Sequence, residues 1–262
     1  MELRNATAIV TGGARGIGRG IALALAAEGA NIIIGDLVHN EAIAREAAAT
    51  TRQCEALGVK VLTVAVDVTQ EQQCQQLVEA ALNAFGRLDV VCANAGVISR
   101  APIHELSVAE WDRIFAVNTR GVFLTCKAAA RQFMAQRHGC FVTTASIAGK
   151  RATPGASHYG ASKWAVIGFT QSLAMEMAPY NVRANAICPG LIGTNMWLDD
   201  ILADEKARGE DTAQVFQQRA EERTPLKRPQ TPADIGQAAV FLCKADNITG
   251  IALTVAGGIE MG

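Results

Sequence analysis

No apolar run in this 262-residue chain is long enough to cross a bilayer. The longest uncharged stretch of its second half, "ANAICPGLIGTNMWL", is broken by Pro189, Gly190 and Gly193 and reads as a strand entering a loop. Basic runs are missing as well. With a formal net charge of -1 and no Lys/Arg cluster, nucleic acid is not expected as a partner, nor is a membrane. The seven cysteines include no C-x-x-C pair, and an odd, scattered set suits reduced thiols rather than a disulfide framework. His39, His104, His138 and His158 fall at no zinc-ligand spacing, so no metal is expected. The start, "MELRNATAIVTGG", lacks a secretory signal's charged beginning and long apolar stretch, and the expected location is cytoplasmic. The N-x-T triplets at Asn5 and Asn247 then carry no meaning as glycosylation sites. What the chain does have is core material: 50% of it is hydrophobic and 19% charged, which leaves little case for disorder.

Short β-branched runs alternate with longer helical patterns. Residues 6–10, 31–34, 60–66, 88–93, 140–145, 182–187 and 251–255 read as strands. Their apolar runs are nearly continuous, the pattern of parallel strands covered on both faces. Helix-type spacing falls near 16–28, 40–57, 70–84, 107–136, 157–177 and 232–243. This alternation implies an α/β fold: a single-domain, doubly wound Rossmann-type parallel sheet of about seven strands over 1–262, with helices on both faces. The rhythm stops at residues 195–224, where Asp199, Asp200, Asp204, Glu205, Glu210 and Asp211 accumulate. Directly after a strand's carboxyl end, where such sheets bind ligands, that excursion is expected to be a substrate lid.

Immediately after the first strand comes "TGGARGIG", Thr11 to Gly18. Glycines at 12, 16 and 18 permit a tight turn and close approach of the backbone to a pyrophosphate. They place Gly12, Arg15, Gly16, Ile17 and Gly18 at the phosphates, with free N–H groups of the helix start facing them. The second strand ends on Asp36, and a carboxylate there accepts hydrogen bonds from ribose hydroxyls and repels a 2′-phosphate. Arg15 works the other way, but Leu37 after the acid offers no second cation, so NAD is expected as the cofactor.

A second stretch, "SHYGASKW", puts the Tyr159 phenol and the Lys163 ammonium four residues apart, on one face of a helix. A lysine charge favours phenolate and lowers a pKa of about 10 toward the working range of a proton-transfer group. Together with "NAG" at 94–96, Asn118 in "FAVNTRG", Ser146 in "TTASIAG" and "PG" at 189–190, these motifs resemble the short-chain dehydrogenase/reductase family over essentially the whole chain. The chain departs from that pattern at Ala93, where the family often has Asn, and at Ala256, where it frequently has Asp.

The resemblance implies an enzyme that moves a hydride between NAD and an alcohol or ketone. Tyr159 is then the general acid/base, Lys163 lowers its pKa and holds the nicotinamide ribose, and Ser146 holds the substrate oxygen. Asn118 would bend its helix and hold, through its carbonyl, a water linked to Lys163. Asp67 and Val68 would contact the adenine, and Asn94, Ala95 and Gly96 would form the floor beneath the adenosine. Ile192 and Thr194, with Pro189 and Gly190, would hold the nicotinamide amide. The substrate pocket is expected to be walled by 96–98, 147–156, His158 and the lid, with Met196 and Trp197 as an apolar surface. His158 itself reads either as a group that hydrogen-bonds a substrate hydroxyl or as a surface or supporting residue. Secondary alcohols, diols, polyols or sugar-related alcohols are the expected substrates. Two alternatives are a 3-oxoacyl thioester reductase, against which Asp36 and the acidic lid argue, and a non-catalytic NAD-binding sensor or scaffold. Family members commonly form homotetramers through helices here at 107–136 and 157–177 and through the carboxyl terminus; Phe115, Phe123, Phe133, Val166, Phe169 and Leu173 offer an apolar face, a pattern that core packing explains equally.

Overall fold

The computed structural model describes residues 1–261. Strands run over Thr7–Thr11 (β1), Asn31–Asp36 (β2), Val61–Ala65 (β3), Val90–Ala93 (β4), Gly139–Thr144 (β5), Val182–Pro189 (β6) and Ala252–Val255 (β7). Helices run over Gly16–Ala27 (α1), Glu41–Glu55 (α2), Glu71–Phe85 (α3), Val108–Phe115 (α4), Val122–Gln136 (α5), Ser157–Met177 (α6), Ala203–Ala207 (α7), Thr212–Arg223 (α8) and Pro232–Lys244 (α9). The strands form one parallel sheet in the order β3-β2-β1-β4-β5-β6-β7. The order reverses between β1 and β4, and a crevice at the strands' carboxyl ends opens at that point.

Side chains alternate across the sheet. Ala8, Val10, Ile32, Ile34 and Val90 face one layer, where they meet Ile21 and Leu25 of α1, Ala47 of α2, and Ile235 and Leu242 of α9. Ile9, Ile33, Val91 and Phe141 face the other, against Leu77 of α3, Phe133 of α5, and Val166 and Leu173 of α6. Each large apolar side chain buried this way contributes about 1.5–3 kcal/mol. Glycine makes one contact possible: a methyl group on Gly236 would overlap the Gly20 carbonyl, so α1 and α9 touch backbone to backbone.

Three expectations need correction. First, the edge strands β3 and β7 are only half-buried, because each lacks a neighbour on one side. Second, the helix expected over 107–136 is interrupted: residues Ala116–Gly121 form a widened π turn between α4 and α5. Third, the apolar face divides: core packing, the other reading of the pattern, holds for Phe133, Val166 and Leu173, while Phe115 and Phe169 are half-buried and Phe123 is 42% exposed. Phe123 meets Phe169 edge-on at 6.1 Å.

Residues 195–224 form a compact subassembly. A π turn at Met196–Ile201 is followed by α7 and α8, and Leu191, Leu202, Phe216 and Ala220 make its own small core. Three of its eight acids are ion-paired within it: Asp199 to Lys206, Glu205 to Arg219, and Glu210 to Arg208. All seven cysteines are buried free thiols. Ala93 is buried in β4, and Ala256 is buried against Gly190, where a Cβ added to the glycine would come within 2.9 Å of the alanine.

Candidate active site

The crevice is a cavity of about 870 Å³. Its inner end is set by the β1–α1 turn. Gly12 takes a left-handed conformation (φ +64°), and a Cβ there would sit 3.0 Å from Ala95 Cα. Asn94 fixes the geometry: its Nδ2 donates to the Thr11 and Gly12 carbonyls at 3.0 and 3.3 Å, while its Oδ1 accepts from Thr144 Oγ at 3.1 Å. Side chains cap the starts of α2, α4, α8 and α9; α1 begins on Arg15 without a side-chain cap, as α3, α5, α6 and α7 also lack one, but it alone of these follows the glycine turn. Its first N–H groups therefore stay available to an anion. The Asp36 carboxylate, at the end of β2, accepts from Ala14 N at 3.0 Å and Leu37 N at 2.9 Å, which fixes its orientation at the rim.

The cavity brings together Gly12, Arg15, Gly16, Ile17, Gly18, Asp36, Leu37, Asp67, Val68, Asn94, Ala95, Gly96, Ser146, Tyr159, Lys163, Pro189, Gly190, Ile192 and Thr194, every one a residue singled out in the sequence. Asp67 is already engaged, its Oδ1 accepting from Thr69 N and Oγ at 2.9 and 2.7 Å ahead of α3. Arg15 lies close enough to the 195–224 segment for its charge to act on Asp199 and Asp200.

Asn118 is the exception: it is fully buried behind the cavity rather than lining it. Its Oδ1 accepts from Val97 N at 2.8 Å, and its Nδ2 donates to Val97 O at 2.9 Å and Ser162 Oγ at 3.1 Å. The side chain thus ties the π turn to the loop after β4 and to α6, and the bend expected at this residue is present.

Around the reacting end, Tyr159 and Lys163 share one face of α6, and the Lys163 ammonium stands 5.7 Å from the Tyr159 ring centroid. Lys163 Nζ donates to the Thr144 carbonyl at 2.9 Å. Ser146 and Tyr159 line the cavity together, close enough for the serine hydroxyl to act on the phenol, and Ser146 Oγ accepts from Ala148 N at 3.1 Å. The electrostatics differ from the expectation built on the Y-x-x-x-K spacing. Burial raises the Tyr159 phenol above its ordinary value, opposed by the Ser146 hydroxyl, while burial lowers Lys163 to about 8. Desolvation favours the neutral form of both groups, and it outweighs the helical spacing.

Two wall assignments are corrected. Gly149, Lys150 and Gly155 do not line the cavity; Lys150 Nζ turns to β7, donating to Ala252 O at 2.7 Å and to Thr254 Oγ at 2.8 Å. His158 is neither a surface group nor a wall: it is fully buried, with Nε2 2.8 Å from Ser99 Oγ. Sequence reading missed Thr11 and Thr144, which hold Asn94 and Lys163 in place; their strand-end positions resemble ordinary sheet threonines. It also missed Arg100; Arg151, Arg219 and Arg223 line the cavity within the wall and lid ranges that were expected, though none was singled out there.

The family model described as enoyl-(acyl carrier protein) reductase matches residues 12–260. The 3-oxoacyl-[acyl-carrier-protein] reductase of Chlamydia muridarum is 36% identical over 261 residues, 98% of each chain. The diacetyl reductase [(S)-acetoin forming] of Staphylococcus epidermidis is 35% identical over 259 residues, 97% of this chain and 98% of that one. The chain belongs to the short-chain dehydrogenase/reductase family. Among solved structures, carveol dehydrogenase from Mycobacterium avium in complex with NAD superimposes with a TM-score of 0.91 at 29% identity, covering 98% of both chains. As a member of this family the chain is an oxidoreductase acting on CH–OH groups.

Proposed function

We propose that this enzyme oxidises secondary alcohols, or reduces the matching ketones, with NAD, and that its substrates are diols, polyols or sugar-related alcohols. The observation that carries the reading is the Ser146–Tyr159–Lys163 group facing the same cavity as Asp36 and the uncapped start of α1. The glycine cradle, the free N–H groups and the Asp36 carboxylate fit a dinucleotide bearing a free 2′-hydroxyl, and Leu37 adds no cation for a 2′-phosphate. When bound, oxidised NAD supplies the hydride acceptor and a positive charge. Ser146 Oγ would hold the substrate oxygen, and the Tyr159 phenolic oxygen would take its proton. Lys163 would favour the phenolate and hold the ribose, and Asn118 would keep the 97–100 loop and α6 in register. Asp67, Val68, Asn94, Ala95 and Gly96 would surround the adenosine; Pro189, Gly190, Ile192 and Thr194 would hold the amide. Residues 195–224 would serve as the lid of this one domain; Gly262 lies outside the described residues.

A second reading, reduction of 3-oxoacyl thioesters, is favoured by the Chlamydia relative. Asp36 and the acidic lid, where three of eight carboxylates are ion-paired, argue against it. A panel of diols, polyols and secondary alcohols, run beside acetoacetyl thioester with NAD(H) and NADP(H) in parallel, separates the two. NAD-linked alcohol oxidation with the higher kcat/KM supports the first reading. NADPH-linked thioester reduction with the higher kcat/KM replaces it with the second.

A further inference from the structure

The arginines lining the cavity are concentrated away from its nucleotide end. Asp36, Asp67 and Arg15 are the charged residues at the nucleotide end. Past Ser146 and Tyr159, the lining residues are Arg100, Arg151, Arg219 and Arg223, with Asp200 as the acid among them. Arg219 is occupied by Glu205. Arg100, Arg151 and Arg223 have no carboxylate within 4.0 Å among the described residues. Arg151 donates through Nη1 to the Ile259 carbonyl at 3.0 Å, and Arg100 donates through Nη2 to Pro154 O at 3.3 Å.

Arg151 and Arg223 approach one stretch of wall. Ile259 lines the cavity and packs beside Trp197 and Val215 on the lid core. Its neighbour Gly258 lies against Pro225, where an added Cβ would come within 3.0 Å of the proline ring; Pro225 is two residues past Arg223. Arg219 and Arg223 stand four apart on one face of α8, which turns them both to the same opening. Apolar lining residues connect the two ends: Ile98 and Ala156 pack with Tyr159, and Leu191 and Trp197 pack with Ile259.

A neutral polyol would leave these guanidinium groups unused and would meet an apolar passage beside the reacting end. A planar guanidinium fork matches carboxylate or phosphate oxygens, and a pair of forks without acids of their own suits an anion brought in by the substrate. We infer that the secondary alcohol or ketone entering this cavity carries an anionic group, carboxylate or phosphate, on the end remote from the carbinol carbon, held by Arg151 and Arg223. This rests on the alcohol–ketone reading above and narrows its substrate class.

The test compares matched probes: 6-oxoheptanoate with its methyl ester, and dihydroxyacetone phosphate with dihydroxyacetone. The readout is the ratio of kcat/KM for the charged over the neutral member, in the wild-type enzyme, in Arg151→Gln/Arg223→Gln and in Arg151→Lys/Arg223→Lys. A charge-assisted hydrogen bond is expected to give a wild-type ratio of about tenfold or more for at least one pair. The ratio should fall toward one in the glutamine variant and survive in part in the lysine variant. The pair that shows the effect distinguishes carboxylate from phosphate. A wild-type ratio at or below one for both pairs, or a ratio untouched by the glutamine substitutions, overturns the inference. If no member of either pair is turned over, the alcohol–ketone reading fails for these probes. Calorimetric binding of the same pairs to the NAD-loaded chain then decides the anion site by the same ratio.

Discussion

At the residue scale, Lys163 pits activity against stability. Its folded pKa is lowered to about 8 by burial, below the ordinary lysine value, so the folded chain binds its proton less tightly than the unfolded chain. Stability therefore rises as pH increases from about 8 toward the unfolded lysine value, and below that window the buried charge is a standing cost. Lys163→Met should stabilise the ligand-free protein at neutral pH by about 1–2 kcal/mol, after allowing for the lost bond to the Thr144 carbonyl. The same substitution should reduce turnover by at least about a hundredfold. Thermal melting across pH checks the first effect: the gap between wild type and variant should close above about pH 10. A variant that melts lower than wild type at pH 7 would show that the hydrogen bond outweighs desolvation. The pairing of Tyr159 with Lys163 was legible in their four-residue spacing, but their charge states were not. Those depend on how much water the surrounding sheet and loops exclude, which no local motif encodes.

Individual elements show the same division. The strands were legible because parallel strands covered on both faces leave continuous apolar runs, and α6 was legible over its full length. The break at Ala116–Gly121 was signalled by Asn118 alone, a polar residue between Val117 and Val122. Its three hydrogen bonds hold the Val97 backbone and Ser162 together, so Asn118→Ala leaves a buried N–H and carbonyl unpaired. A loss of about 2–4 kcal/mol is expected. Chemical denaturation with an intact folding baseline measures it, and a loss under 1 kcal/mol would mean the turn holds its shape without the side chain. The outer arginines were illegible for another reason. Arg151 and Arg223 are 72 residues apart in sequence and line one cavity only because the fold brings the Gly258–Ile259 stretch beside both segments.

At the scale of the whole molecule, the end of the sheet opposite the cavity sets acid resistance. Burial by itself would raise the Asp89 carboxyl; His138, Arg87 and the Thr7 N–H, which donate to it at 2.8–2.9 Å, overcome that and hold it at about 2. Because the folded value is depressed, Asp89 stabilises the fold above about pH 4 and loses that contribution as pH falls toward 2. Asp89→Asn should cost about 2 kcal/mol at neutral pH and flatten the acid limb of the stability curve between those values. An acid limb identical to wild type would remove Asp89 from that role. The assembly has its own test. We propose a homotetramer in which Phe123 and Trp164, 42% and 54% exposed, are covered by neighbouring subunits. Light scattering should give four times the chain mass, and Phe123→Asp with Trp164→Asp should reduce it to smaller species. A monomeric wild type would end the proposal.

The central claim is that Tyr159 becomes acidic enough to carry a proton when the cavity holds its cofactor. The chain has two tyrosines, so Tyr180→Phe leaves Tyr159 as the sole phenol. Its titration can then be followed by carbon NMR of labelled tyrosine, with and without NAD. The expected result is a phenol above its ordinary value in the free protein, falling by at least about one pH unit when the positively charged cofactor binds. A titration that NAD leaves unchanged, in a protein that demonstrably binds it, would contradict the account.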